Sequence, residues 1–397
     1  MPFLVDNTTG IPVQAVTYWM VAERRKLNNQ SRTLENELRS LIYLYLWADL
    51  NGIRVAERLA TGKLFTQAEL INFDDTAGLF MDELLASFEV EDGKRRERAK
   101  KTATSGEKYN RLAAFYNFLE FSSTQYLQSL SHWPERVLAQ SVIRDLCLKA
   151  LKKLRNACSK PSDGDREGLE TEALIRLRAV IEIDHPENPF SLPVRYRNFV
   201  IITLLLDLGI RRNELLGIKI GDCRLGTDGT ITIHRRPDDP ENRRRKRGVG
   251  SKTNARVLAI GPRIVEIVHR WIVQERAKIP GARKKSSYLF VSHDKGEPLS
   301  ESSINKMFYR LRKCVPGLPD NMTPHVMRHT WNDAFSTTSD ENGIAEKDEI
   351  RMRKEAMGWS SDRTAETYTK RTTRRKADDL LKKQQARIKL HSKGKKR

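Results

Sequence analysis

The chain has 397 residues, with 72 Lys and Arg against 51 Asp and Glu, a net charge of +21. That length predicts two or three domains, and 39% apolar content excludes disorder along the whole chain. No apolar run approaches the ~18 residues of a membrane span, no secretory leader pattern opens the chain, and the charge excess favours a nucleic-acid partner over a membrane.

Leu34, Leu38, Leu41 and Tyr45 recur at helical spacing. They predict a helix over residues 33–50, closed by Asn51-Gly52. The basic segment 94–101, KRRERAKK, reads either as a solvated stretch or as an arm on phosphates. Thr104 and Glu107 stand at capping-box spacing before an amphipathic helix over 107–121. Lys160-Pro161-Ser162-Asp163-Gly164 has the composition of a linker. We therefore expect an N-terminal helical domain over 1–160, a linker over 161–165, a second domain over 166–375 and a basic tail over 376–397.

The second domain starts with a helix from Thr171, followed by a loop punctuated by Pro186, Pro189 and Pro193. A strongly apolar helix runs from Phe199 to Gly209. Strand candidates lie at 230–234, 255–260 and 288–292, the first two separated by a long basic loop. This pattern predicts a mainly α protein with a small antiparallel β-sheet, not a doubly wound parallel sheet. From Arg371 onward there are 12 Lys or Arg and 2 acidic residues. That tail reads as a solvated helix, or as a contact to DNA or a neighbouring subunit.

Four cysteines, Cys147, Cys158, Cys223 and Cys314, form no CxxC pair. A zinc ribbon is therefore not expected, and scattered thiols suit a reducing compartment. Gly248-Val249-Gly250-Ser251-Lys252-Thr253 departs from a P-loop, because Ser251 and not Gly precedes the Lys. His325-Val326-Met327-Arg328-His329 lacks the Glu of a zinc-protease helix. No metal or other cofactor is expected.

Three motifs remain, each weak alone. Gly209-Ile210-Arg211-Arg212-Asn213-Glu214 ends the apolar helix, with Arg211 and Glu214 three apart and able to touch. His325 and Arg328 share a helix face. Gly358-Trp359 is followed by Tyr368. Their order and spacing, with Lys252 at a strand edge, resemble the tyrosine recombinase (phage integrase) family over residues 166–375.

The resemblance implies a helical core-binding domain joined to a mixed α+β catalytic domain, closing as a C-shaped clamp on duplex DNA. It assigns Tyr368 as nucleophile, and Arg211, Lys252, His325, Arg328 and Trp359 as its catalytic companions. Glu214 and His329 are supporting residues, and Arg243, Arg244, Arg245, Lys246 and Arg247 are DNA contacts. It also implies a homotetramer on two DNA sites, with a homologous recombinase or accessory protein as a further partner, and a cytoplasmic, nucleoid-associated location. Three departures accompany it. Asn213 replaces a small residue, the stretch between Arg328 and Trp359 is long, and the loop before Lys252 is long and very basic, leaving Lys246 as a rival lysine.

These residue types suit attack on a phosphodiester. A phenol with an ordinary pKa of about 10 must lose its proton during attack. His325 can assist or can donate to a phosphate oxygen. Each guanidinium can donate two parallel hydrogen bonds to phosphate oxygens that gain charge in the transition state. Trp359 offers an N–H donor only. Lys252 is the acid expected for the leaving 5′ oxygen. Rival readings are a type IB topoisomerase or hairpin resolvase, a DNA-binding protein without catalysis, and an RNA-binding protein. The last lacks any supporting aromatic or GxxG motif.

Overall fold

The computed structural model describes residues 2–27, 31–86, 88, 102–158, 167–236, 239, 241 and 254–393, the side chains of some helical residues excepted. The chain divides into two compact units, Met1–Ser162 and Asp163–Arg397. Segment 94–101, the linker, residues 243–247 and Lys252 lie outside the described residues. Among the described residues no helix is long and apolar enough to cross a membrane.

The first unit is helical: α1 (Gln14–Trp19), α2 (Ser31–Leu50), α3 (Val55–Thr61), α4 (Gln67–Ala77), α5 (Met81–Leu85), α6 (Ser105–Ser129) and α7 (Pro134–Ala157). Leu34, Leu38 and Leu41 form the buried stripe of α2, as their spacing predicts. The core is aromatic: Phe73 meets Phe115 edge-on at 4.9 Å between centroids, and Trp47 meets Phe73 at 5.3 Å. At the start of α6, the Thr104 hydroxyl accepts from the Glu107 amide at 3.3 Å. The Thr104 amide donates back to the Glu107 carboxylate at 3.0 Å, completing the capping box. The helix continues to Ser129, beyond the expected 121. Ser123 and Thr124 donate their hydroxyls to carbonyls one turn back, which fits them to a helix interior.

The second unit contains α8 (Thr171–Val180), α9 (Leu192–Leu208) and α10 (Arg212–Gly217), then β1 (Cys223–Arg224), β2 (Thr230–Ile233) and β3 (Arg256–Ala259). It continues with α11 (Pro262–Arg270), α12 (Ala282–Lys285), α13 (Glu301–Cys314), α14 (Pro324–Glu341), α15 (Glu346–Met357) and α16 (Asp362–Lys393). Helix α9 is apolar on all sides and fully buried at Val200, Ile201, Ile202, Leu204 and Leu205. A helix of that composition belongs inside a core. It begins seven residues earlier than Phe199. Pro193 stands in its first turn rather than in the preceding loop, where its fixed φ and missing N–H cost nothing.

The sheet is antiparallel in the order β1-β2-β3, with Ile231 opposite Leu258 and Ile233 opposite Arg256. Strand β1 escaped the sequence reading, since two residues show no alternation. The segment 288–292 is not a strand of this sheet. It makes only isolated bridges, Tyr288 to Lys219 and Val291 to Pro298. Its Tyr288, Leu289, Phe290 and Val291 are all buried, and several of its carbonyls are taken by side chains. Trp271 donates to Leu289 O at 3.0 Å, and Arg276 donates to Tyr288 O at 2.9 Å. A continuous apolar run signals a buried extended segment but not which backbone it pairs with.

Candidate active site

Helix α9 ends at Gly209, whose φ of +59° is left-handed. A Cβ there would stand 2.7 Å from the Trp331 ring of α14. The tight turn brings Arg211 to the N-cap of α10 beside the start of α14. The Arg211 amide donates to Glu214 Oε2 at 2.9 Å, and its guanidinium lies 3.3 Å from Glu214 Oε1. Glu214 is fully buried and shared: Arg256 of β3 reaches its Oε2 at 2.8 Å. Arg256 also donates to Ala356 O at 2.7 Å, tying the sheet to the end of α15. Arg212, the neighbour of Arg211, points elsewhere, to Asn305 and Glu301 of α13 at 2.6 and 2.7 Å.

Helix α14 starts at the Thr323 cap and carries His325 near its start and Arg328 and His329 one turn on. Arg328 is 1% exposed. It donates to Gly209 O at 2.7 Å and to Met357 O at 3.4 Å, locking α14 to the ends of α9 and α15. Its Cζ lies 5.3 Å from the Trp359 ring. Burial first, and the Arg211 guanidinium second, push Arg328 down to about 9, while Glu214 and Tyr368 oppose that fall. A folded value below the unfolded one means that burying this cation costs stability at every pH below about 9. The cost fades as pH rises beyond that, and a bound anion would recover it at neutral pH.

Helix α15 ends at Gly358, φ +65°, and the chain turns so that Trp359 packs inward. The Tyr368 ring of α16 stacks on Trp359, with centroids 5.5 Å apart and planes at 12°. His329 lies 5.6 Å from the Tyr368 ring and 4.5 Å from His325. The Trp359 indole N–H is buried and has no acceptor among the described residues. Arg211, Glu214, His325, Arg328, His329, Trp359 and Tyr368 thus gather in one place. Lys252 is outside the described residues, but Asn254, two residues on, donates its amide to Gly358 O at 3.1 Å.

Chemically, the cluster is an anion site. Arg211, Arg256 and Arg328 lie around the buried Glu214 carboxylate. Guanidiniums gathered in this way can donate paired hydrogen bonds to a phosphate. Among the described residues no group of His, Cys, Asp or Glu is placed to hold a metal ion.

The family model of the phage integrase family matches residues 176–375, about half of the chain. The chain belongs to the phage integrase family. It is 28% identical over 202 residues to the tyrosine recombinase XerD of Halalkalibacterium halodurans, covering 51% of this chain and 57% of that protein. It is 32% identical over 180 residues to the tyrosine recombinase XerC of Brucella melitensis biotype 1, covering 45% and 48%. The match thus spans about half the length of these curated relatives. In structure it resembles the Tn1549 transposon integrase in complex with a circular intermediate DNA, with a TM-score of 0.51 and 15% identity. That likeness covers 89% of this chain and 94% of the other. The mainly α fold with its three-stranded antiparallel sheet is therefore an integrase-family fold.

Two residues of this site were not singled out from the sequence. Arg256 had a legible signal: in a strand over 255–260 it shares a face with Leu258, so an arginine points into the core. Arg353 of α15, whose guanidinium lies 5.7 Å from the Tyr368 ring, had none.

Proposed function

We propose that this member of the integrase family is a site-specific DNA recombinase of the integrase or mobile-element type. It cleaves and rejoins strands through a 3′-phosphotyrosyl intermediate. The observation that carries this reading is the stacking of Tyr368 on Trp359 beside the buried Arg328 and the Glu214-held Arg211. The phenol oxygen bonds to phosphorus as the bond from phosphorus to the 5′ oxygen breaks. The phenolic proton goes to a nearby base, for which His325 is the candidate, and Lys252 protonates the departing oxygen. Rejoining runs the same steps backwards, so the bond energy is kept in the phosphotyrosine.

Arg211 and Arg328 stabilise the charge that grows on the non-bridging oxygens. Removing one such preorganised donor costs about 3–4 kcal/mol. The Trp359 N–H, buried without an acceptor among the described residues, is available to the same phosphate. Glu214 orients Arg211 and Arg256 and moves no proton, and His329 supports the Tyr368 ring. Residues 243–247 contact the DNA backbone, the first unit is the core-binding half of the clamp, and four copies assemble on two sites, with an accessory protein where the element requires one. The protein works in the cytoplasm, on the nucleoid.

The test is to capture adducts from a pool of nicked duplexes of randomised sequence. The expected result is an SDS-resistant adduct enriched for one sequence, and exchange between two plasmid-borne copies of it. Relaxation of supercoiled DNA without a site would point instead to a topoisomerase. Tight binding of an enriched sequence without any adduct would mean a binder that does not cleave.

A further inference from the structure

Helix α15 carries a second buried cation that the mechanism above does not use. Arg353 is 0% exposed. It donates to Asn332 O at 2.9 Å, to Asn332 Oδ1 at 3.0 Å and to Ser336 Oγ at 2.6 Å, and it pairs with Glu349. Asn332 in turn donates to Arg328 O at 2.8 Å. The guanidinium Cζ lies 5.1 Å from the Phe335 ring and 5.7 Å from the Tyr368 ring. One side chain therefore joins the turn of α14 that bears Arg328, the body of α15 and the ring of Tyr368 on α16.

Such a residue is expensive. A fully buried ion pair can often be replaced by apolar side chains with no loss of stability. Moreover, the Arg353 Nε–H has no acceptor among the described residues. Burial pushes the guanidinium down, while Glu349 and the Tyr368 phenol push it up. The placement makes sense if the cation serves the ring it faces, since a cation within about 6 Å of an aromatic face attracts it.

We propose that Arg353 is a positioning residue for Tyr368, holding the phenol against Trp359 and setting a fixed positive charge beside it. This rests on the reading of Tyr368 as the nucleophile. Other charged or titratable groups also surround the phenol. From α14 these are His325, Arg328, His329 and Asp333. Glu349 accompanies Arg353 on α15, Arg211 and Glu214 lie at the start of α10, and Arg256 lies on β3. Tyr368's own helix adds Asp362 and Glu366. Arg353 is fully buried, and its hydrogen bonds and ion pair go to Asn332 and Ser336 of α14 and to Glu349 of α15.

The experiment measures adduct formation by the full chain on a nicked duplex carrying its selected site, across pH, with duplex affinity measured in parallel. With Arg353→Met, adduct formation is expected to slow by on the order of a hundredfold, the effect of a reacting atom displaced by about 1 Å. Its rise with pH moves to higher pH and the affinity is unchanged. Arg353→Lys keeps the charge but not the fork, so it restores the pH profile and part of the rate. Wild-type rate and profile in Arg353→Met would overturn the proposal. So would a slowed rate with an unmoved profile and no recovery by Lys, which is the mark of a purely structural role. Should Arg353→Met not fold, Glu349→Gln replaces it. Removing the carboxylate leaves the cation uncompensated and moves the rise to lower pH, and an unmoved rise there overturns the proposal. A wild-type protein that forms no adduct defeats the nucleophile reading itself, a failure distinct from these.

Discussion

Glu214 is the residue on which the cluster turns, because one carboxylate holds two guanidiniums with its side chain fully buried. Breaking a buried pair by removing one charge strands the other, at about 3–5 kcal/mol. Glu214→Gln is therefore expected to lower the unfolding free energy by that much, read as a lower urea midpoint with an unchanged slope. Trp359→Phe tests the opposite case, a polar atom that does nothing for the DNA-free fold. Its N–H is buried without an acceptor among the described residues, at a cost of about 1–3 kcal/mol, so deleting it offsets the packing lost with the smaller ring. The melting temperature is expected to stay near wild type. A hydrogen bond to a charged oxygen contributes about 1.5–3 kcal/mol, so adduct formation is expected to slow by roughly ten- to a hundredfold. A melting temperature far below wild type would place Trp359 in the fold rather than at the phosphate.

At the scale of elements, two helix ends set the site, and both stop on a left-handed glycine. Gly209 ends α9 beneath the Trp331 ring, and Gly358 ends α15 beneath Arg256 and Asn254 O. A Cβ in that conformation costs about 1–2 kcal/mol before any clash. Gly209→Ala is expected to cost at least that much in urea unfolding, and to slow adduct formation by tilting Arg211 away from Arg328. Full activity in a destabilised Gly209→Ala would break the link drawn between turn and site. Of these two stops only the one at Gly209 was readable from sequence, because that glycine closes an apolar run just ahead of Arg211. Arg353 was not. In DEIRMRK, Arg351 and Arg353 look alike, yet the Arg351 side chain is 70% exposed and that of Arg353 is 0%. Only the packing of α14, α15 and α16 separates them. The segment 288–292 fails for a related reason: its apolar run shows burial but not the partners of its backbone.

For the whole molecule, the net charge of +21 fits the DNA partner proposed above. Each phosphate neutralised releases counterions, so the logarithm of affinity falls linearly with the logarithm of salt. For a clamp making ~6–10 phosphate contacts, affinity is expected to fall about a thousandfold or more between roughly 50 and 200 mM salt. A flat response in a titration by fluorescence anisotropy would contradict the proposed binding to the DNA backbone.

The most direct measurement is to digest the trapped adduct with protease and nuclease and to locate the nucleotide by mass spectrometry. The expected result is a nucleotide on the peptide containing Tyr368, lost in Tyr368→Phe while duplex affinity persists. A nucleotide on any other residue would contradict the assignment of Tyr368, and with it the roles given to the residues gathered around it.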